Sequence, residues 1–243
     1  DFLPVRFKNK NVGWLNKSNL KLSKKFYKFN SHIRIVDVIN FASESSSKVK
    51  KIEYCPIFNF ESKKPKITFD HKKKFCDGKK FKINREYLSR FGLPAYGVHC
   101  NVWSKYKNST IIHLAKRSKK LKKFPGLYDN LVAGGQPVTL SIEQNLNKEA
   151  YEEAGLNPKQ ISLAKRGSTV HYMHNEKKNF NSAIIFNYHL EKLKDMKFIN
   201  QDGEVEKFIS IEINQIYKIL EQNTLKANCI IPIVDFFILK ESD

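Results

Sequence analysis

Cysteine is scarce in this sequence, with 4 residues among 243. Cys55, Cys76, Cys100 and Cys229 are scattered, and no two of them form the close pair that binds zinc or exchanges disulfides. The sequence therefore excludes a paired-cysteine zinc site and a thiol-exchange motif, and we expect ordinary reduced thiols.

The chain also lacks a long hydrophobic run. Its most apolar stretch, 229–239, is broken by Pro232 and Asp235 and is too short to span a bilayer. No basic segment followed by an apolar core opens the sequence, so we expect a soluble cytoplasmic protein. Because the first residue is Asp1 and not Met, a removed segment and an organellar location stay open.

Acidic residues are few relative to basic ones. Asp and Glu number 24 against 44 Lys and Arg, which gives a net charge of +20 at pH 7. Residues 1–94 hold 23 basic and 8 acidic residues, whereas residues 95–243 hold 21 and 16. A positive field of this size attracts phosphate groups of any kind, nucleic acid included. A solvated lysine-rich surface is the simpler interpretation of the N-terminal excess.

Glycine and proline are limited to 10 and 8 residues, and 41% of the chain is hydrophobic. This composition excludes collagen-like and broadly disordered chains. The length suits one large domain or two modest ones. We place a boundary near Gly92-Leu93-Pro94, which gives a basic N-terminal domain over 1–94 and a second domain over 95–243.

Short segments rich in β-branched and aromatic residues predict strands on both sides of this boundary. In the first domain we expect strands at 2–7 and 12–15, an amphipathic segment at 20–29, a polar break at 43–47, a strand within 52–60, and a short helix at 84–91 that stops at Gly92. In the second we expect strands at 97–103, 110–116, 131–133, 162–173, 182–190 and 205–211, and helices at 141–154, 212–221 and 225–240. These elements predict an α/β sandwich with a mixed sheet, preceded by a smaller α+β domain.

The segment 133–156 carries the most informative local pattern. Ser141 is a good helix N-cap, and Gln144 stands three residues later, as in a capping box. Gly155 suits the left-handed residue that ends a helix. The pattern predicts a loop, a helix and a second loop.

Three carboxylates share one face of this predicted helix. Glu149, Glu152 and Glu153 fall within a sector of about 100° at 100° per residue, beside an apolar stripe formed by Ile142, Leu146 and Ala150. Like charges at these spacings repel. A hard divalent cation such as Mg²⁺ or Mn²⁺ would compensate, because it prefers carboxylate oxygens. The sequence thus predicts a metal site, with a solvated Glu-rich helix as the plain alternative.

This segment resembles the Nudix box. The positions that match its pattern at the right spacing are Gly134, Glu149, Glu152, Glu153, Gly155 and Leu156. Lys148 replaces the Arg of the pattern, and Leu140 stands where its first Glu is expected. The resemblance implies that the three retained glutamates bind a divalent metal and that Gly134 offers it a backbone carbonyl.

Further segments resemble the Nudix subfamily related to thiamine diphosphate metabolism. They are 95–101, 116–118, 124–135 and 200–205, together with 2–7 and 12–14, which resemble the start of the N-terminal domain in that subfamily. Its box characteristically has Lys-Glu in place of Arg-Glu, as at Lys148 and Glu149. The resemblance implies hydrolysis of thiamine diphosphate, or of its oxidised oxo and oxy analogues, to the monophosphate, with Mg²⁺ or Mn²⁺ as cofactor.

For catalysis we expect a carboxylate to orient or deprotonate the attacking water while the metal carries charge. Glu153 is one candidate for this base. Glu204, in a turn before a predicted strand, is the other, since Nudix enzymes often bring a further carboxylate from such a loop. Glu152 completes the catalytic set, and it is shared with the metal site.

Three further residues are candidates for substrate contacts. Arg117 and Lys148 are the cations expected at the diphosphate, with an ion pair that holds the box as the alternative for each. Tyr128 is expected to stack on an aromatic ring of the substrate, with a place in the core as the alternative.

Two other functions stay open. One is a Nudix enzyme with a different substrate, such as a nucleotide sugar, a nucleoside triphosphate or a capped RNA end. The other is a non-catalytic RNA-binding or regulatory Nudix protein with a vestigial site. The three retained carboxylates argue against this non-catalytic function. We expect a monomer or homodimer that binds a small-molecule diphosphate, with no membrane partner and with nucleic acid as a less favoured partner.

Overall fold

The structure is a computed structural model that describes residues 2–7, 10–16, 33–46, 53–56, 72, 82–176 and 179–241. The strands are β1 Phe2–Phe7, β2 Lys10–Asn16, β3 Ile33–Arg34, β4 Tyr54–Pro56, β5 Lys82–Asn84, β6 Pro94–Tyr106, β7 Ser109–Arg117, β8 Tyr128–Asn130, β9 Val132–Gly135, β10 Lys165–Glu176, β11 Asn179–Glu191 and β12 Val205–Glu212. The helices are α1 Ile35–Ser46, α2 Ile142–Ala154, α3 Pro158–Ile161, α4 Ile216–Glu221 and α5 Ile230–Glu241. The amphipathic segment predicted at 20–29 lies outside the described residues.

The residues group into two compact units, and the first takes in the described residues of 1–96, 135–141 and 171–184. In it β1 pairs antiparallel with β2 and parallel with β3, and β4 pairs antiparallel with β5. These strands and α1 enclose a core of buried side chains: Leu3, Val5, Leu15, Ile33, Val38, Ala42, Cys55, Ile83, Tyr87, Leu88, Phe91 and Leu93. The strands predicted at 2–7 and 12–15 are confirmed.

Helix α1 runs through most of the segment where we expected a polar break. Val38 and Ala42, four positions apart, are buried on its inner side, while Ser43 and Glu44 are exposed. The expectation of a break was wrong because Ser43 and Glu44, on the outer face of an amphipathic helix, resemble a loop in composition.

The short helix predicted at 84–91 is present as two 3₁₀ turns, Arg85–Tyr87 and Ser89–Phe91. It stops at Gly92, as predicted, where φ is 55°. A Cβ at this position would lie 2.7 Å from the carbonyl oxygen of Trp14, so both the left-handed conformation and the close backbone approach require glycine.

The second unit contains the described residues of 97–134, 142–170 and 185–241. Its sheet has the order β10-β11-β6-β7-β12, with β8 paired to β7 and β9 to β6. Ile112 and Leu114 point from one face of β7 into an apolar cluster supplied largely by α4 and α5, whose other buried members are Ile216, Ile219, Leu225, Cys229, Ile233 and Phe236. This alternation fixes the face of β7 on which α4 and α5 pack.

The six strands predicted for the second domain are all present, and the α/β fold class is confirmed. The strand expected from residue 162 begins at Lys165, because Asn157 and Gln160 form a capping box that starts the short helix α3. The boundary placed near residue 94 stays a prediction. Among the described residues, no helix combines the length and apolar character needed to cross a membrane.

Candidate active site

Helix α2 confirms the helix predicted over 141–154. Its apolar stripe, Ile142, Leu146 and Ala150, is 0%, 4% and 0% exposed. The helix ends at Gly155, whose φ of 67° is left-handed, and the N–H of Leu156 donates to the carbonyl of Ala150 at 3.0 Å. This glycine stop was predicted, and it directs the chain back over the end of the helix.

Glu153 turns from α2 towards strand β9. Its side chain is 7% exposed, and its Oε2 accepts a hydrogen bond from the backbone N–H of Ala133 at 2.7 Å. Burial raises the pKa of Glu153 well above its usual value, and the charges of Asp129 and Glu149 raise it further, against the Ala133 hydrogen bond and Lys226. The carboxylate is therefore fixed in place but costly to keep charged, and a nearby cation would relieve that cost.

Glu149 packs against the glycine of the same strand. Its side chain is only 14% exposed, and a Cβ added to Gly134 would overlap its carboxyl group. Gly134 therefore lets the strand backbone approach the Glu149 carboxylate closely. This is the geometric reason for a glycine at this place in the box.

Replacing Gly134 with Ala is expected to push the Glu149 carboxylate away from the strand and to lower the Mg²⁺-dependent hydrolysis proposed below by roughly 10²-fold, because small displacements of positioned groups have effects of that size. The Mg²⁺ concentration needed for half-maximal activity should rise. Activity measured across a Mg²⁺ titration, with circular dichroism to check folding, tests this expectation. A folded variant with the parent Mg²⁺ dependence would contradict the role given to the glycine.

Lys148 forms ion pairs with two of the box carboxylates. Its Nζ lies 3.1 Å from Oε1 of Glu149 and 2.6 Å from Oε2 of Glu152. Burial works against its charge, but these two carboxylates outweigh that effect and raise the pKa of Lys148. In this structure the lysine thus compensates the repulsion within the box, and its contact with a diphosphate stays a prediction.

The loop 199–204 is bonded to the end of α2. The N–H of Gln201 donates to the carbonyl of Glu152 at 2.8 Å, and that of Ile199 donates to the carbonyl of Ala154 at 3.0 Å. A Cβ on Gly155 would lie 2.8 Å from the carbonyl oxygen of Ile199. The same glycine therefore ends the helix and makes room for this loop.

Glu204 is exposed at the end of that loop. Its backbone is fixed on both sides, because its N–H donates to Oδ1 of Asp202 and its carbonyl accepts from the N–H of Ser118, each at 2.8 Å. The loop that carries Glu204 is thus held at the C-terminal end of the box helix, and the role of its carboxylate as a base stays a prediction.

The structure places Arg117 beside a carboxylate. Its Nη1 lies 3.1 Å from Oδ2 of Asp129, and its Nη2 donates to the carbonyl of Lys123 at 3.3 Å. Tyr128 packs against the apolar cluster under α4 and α5, and its backbone is bonded to Thr224. These contacts match the alternatives noted from the sequence, an ion pair and a place in the core, and both substrate contacts stay predictions.

Asp129 is a residue that the sequence reasoning did not single out. It is 3% exposed. Its carboxylate accepts hydrogen bonds from Lys226 Nζ and Cys229 Sγ, each at 2.7 Å, and from the backbone N–H of Asn130 at 3.0 Å. Burial alone would raise the pKa of Asp129, but Lys226 and the hydrogen bonds lower it to about 2. The ligand atoms of His99, Asp129 and Cys229 lie within 4.8 Å of one another. The only signal for this cluster was a polar pair, Asp129 and Asn130, next to the apolar Leu131.

Curated relatives support one family. The chain is 36% identical over 157 residues to "Nudix hydrolase 20, chloroplastic" of Arabidopsis thaliana. This alignment covers 64% of this chain and 42% of that protein. The chain is 34% identical over 157 residues to "Nudix hydrolase 24, chloroplastic" of the same plant, covering 64% of this chain and 43% of that one. The chain therefore spans less than half the length of either relative. No protein-family model matches it.

A solved structure shares the fold. The protein DR0079 from Deinococcus radiodurans superposes with a TM-score of 0.50 at 13% identity, over 72% of this chain and 94% of that one. The sheet, the box helix and the glycine strand form an α/β architecture that brings helix carboxylates close to a strand backbone. In its sequence the chain is similar to members of the Nudix hydrolase family.

Proposed function

We propose that the chain is a Mg²⁺-dependent Nudix pyrophosphohydrolase that converts thiamine diphosphate, or its oxo and oxy analogues, to the monophosphate. The convergence of box carboxylates on strand β9 carries the proposal: Glu153 bonds the N–H of Ala133, and Glu149 lies against Gly134. A plainly solvated Glu-rich helix would leave these side chains in water. Their low exposure, 7% and 14%, favours a built site.

The donor set suits a hard divalent cation. Carboxylate and carbonyl oxygens are the ligands that Mg²⁺ and Mn²⁺ prefer. The space between Glu149 and Glu152 already accommodates one positive charge, the ammonium of Lys148. In the proposal Glu149, Glu152, Glu153 and the carbonyl of Gly134 hold the metal, which supplies positive charge that stabilises the charge developing on the phosphates.

Glu153 is the first candidate for the base, because the hydrogen bond from the Ala133 N–H fixes the position of its carboxylate. Glu204 is the second candidate, since the loop that carries it is bonded to the end of α2. Either group would take the proton of the water that attacks phosphorus. A diphosphate needs little covalent assistance but gains from such alignment.

The remaining assignments concern the substrate. Arg117 and Lys148 are the proposed cations at the diphosphate, and Tyr128 is the proposed ring contact. The thiamine assignment rests on the resemblance of 95–101, 116–118, 124–135 and 200–205 to that subfamily. We expect a cytoplasmic protein, with an organelle as the alternative because both Arabidopsis relatives are named chloroplastic.

A substrate panel tests the proposal. With Mg²⁺, the chain is expected to release monophosphate from thiamine diphosphate or its oxo or oxy analogue with kcat/KM at least about tenfold above that for ADP-ribose, NADH and dNTPs. Hydrolysis should stop when EDTA removes the metal. Preference for ADP-ribose or dNTPs would overturn the thiamine assignment and keep the enzyme class. No release from any compound, together with RNA binding that falls steeply with salt, would favour the non-catalytic function.

A further inference from the structure

The loop between β7 and β8, residues 118–127, is strongly basic, and we call it the lysine loop. It presents four exposed lysines within five positions: Lys119, Lys120, Lys122 and Lys123. None of the four forms an ion pair with a carboxylate among the residues that the structure describes. Their charge is therefore available to attract an external anion.

Hydrogen bonds fix the backbone of the lysine loop at both ends. At its start the carbonyl and the hydroxyl of Ser118 accept from the N–H groups of Leu121 and Lys120, at 3.2 and 3.3 Å. At its end the N–H of Gly126 donates to the carbonyl of Arg117 at 3.1 Å. The Arg117 side chain also donates to the carbonyl of Lys123, at 3.3 Å, so the lysines extend from a shaped loop.

The lysine loop and the box helix are bonded to one shared loop. Ser118 donates its N–H to the carbonyl of Glu204, and Gln201 donates its N–H to the carbonyl of Glu152, both at 2.8 Å. One short loop, 199–204, therefore links the lysine loop to the box helix through backbone hydrogen bonds.

The three box carboxylates repel an approaching diphosphate. A positively charged surface beside the path of the substrate would offset this repulsion. We infer that the lysine loop captures the phosphate groups of the substrate before they reach the box carboxylates. The ligand class is an organic diphosphate. This inference rests on the proposed function, because the captured phosphates are those of the compound that the box hydrolyses.

Two charge-matched variants test the inference. One carries K119Q, K120Q, K122Q and K123Q. The control carries K159Q, K165Q, K194Q and K197Q, four exposed lysines of the same compact unit that lie outside the loop. At about 20 mM salt, the loop variant is expected to lose roughly tenfold in kcat/KM through KM, and the control less than about twofold. At about 0.5 M salt the difference should vanish, because screening removes it.

A binding measurement separates this inference from the proposed function. Titration calorimetry with inorganic tripolyphosphate in EDTA needs no metal and no hydrolysis. The parent and the control should bind it, and the loop variant should bind at least about fivefold more weakly at low salt. Equal binding by all three proteins, or equal loss in both variants, would overturn the inference even if hydrolysis is normal. Loss of hydrolysis in the parent with intact loop-dependent binding would overturn the proposed function alone.

Discussion

Replacing Glu153 with Gln is expected to reduce Mg²⁺-dependent hydrolysis by about 10³-fold while the protein stays folded. The change removes one charge from the proposed metal site and removes the first candidate for the base. Glutamine keeps an oxygen that can accept from the Ala133 N–H, so the strand contact at 2.7 Å can persist. Initial rates with the best substrate of the panel, at saturating Mg²⁺, measure the effect.

The stability of this variant gives a second readout. Burial raises the pKa of Glu153 well above its usual value, so the folded protein gains nothing from a charge at this place in the absence of metal. The unfolding temperature without Mg²⁺ should therefore be unchanged or higher. A loss of activity with undiminished stability would identify a functional carboxylate and not a structural one.

Glu143→Gln is the matched control, since it makes the same chemical change on the same helix. Glu143 pairs with Arg166 at 2.7 Å, and both side chains are substantially exposed. Exposed pairs of this kind contribute little to stability. The control is expected to keep the parent rate within about twofold. A Glu153→Gln protein that also kept the parent rate would show that the box assignment is wrong.

The local sequence pattern was sufficient to predict the helix and the strands that carry the box residues. The apolar spacing of Ile142, Leu146 and Ala150, with a glycine at 155, predicts α2 within one residue at each end. Strands rich in β-branched residues were found in the same way. Helical periodicity also brought the three glutamates together, because residues three and four apart share a face.

Contacts between distant residues were beyond such reasoning. Helical periodicity places Glu153 on the same face as Glu149 but does not show that it turns inward to the N–H of Ala133, 20 residues earlier. The pair between Asp129 and Lys226 joins residues 97 positions apart. Sequence patterns report local conformation, whereas these contacts follow from how strands and helices pack. The same limit applies to Arg117, which pairs with the carboxylate of Asp129.

Replacing Asp129 with Asn is expected to lower the free energy of unfolding by about 3–5 kcal/mol, the range found when one partner of a buried ion pair is removed. The change leaves Lys226, 2.7 Å from the lost charge and 15% exposed, without a counter-charge, and it weakens the contact with Arg117. Asparagine keeps one oxygen, so it cannot accept from both Cys229 Sγ and Lys226 Nζ as the two carboxylate oxygens do. Urea unfolding at pH 7 measures the effect.

The acid dependence of stability gives an independent check on Asp129. Its pKa is lowered from 3.8 to about 2 in the folded protein. The unfolded chain therefore takes up this proton first as the pH falls. The contribution, about 2 kcal/mol by linkage, is present above pH 4 and is lost as the pH falls from about 4 to about 2. The Asp129→Asn variant should lose this part of the acid sensitivity.

Asp195→Asn is the control for the same change at an exposed aspartate of the same compact unit. Surface substitutions of this kind stay within about 0.5 kcal/mol of the parent. If Asp129→Asn is as stable as Asp195→Asn, the buried pair is not a structural requirement. If Asp129→Asn is destabilised as expected, the backbone of the lysine loop should also become less ordered, because Arg117 links Asp129 to the carbonyl of Lys123. Faster amide exchange within 118–127 than in the control would show that coupling directly.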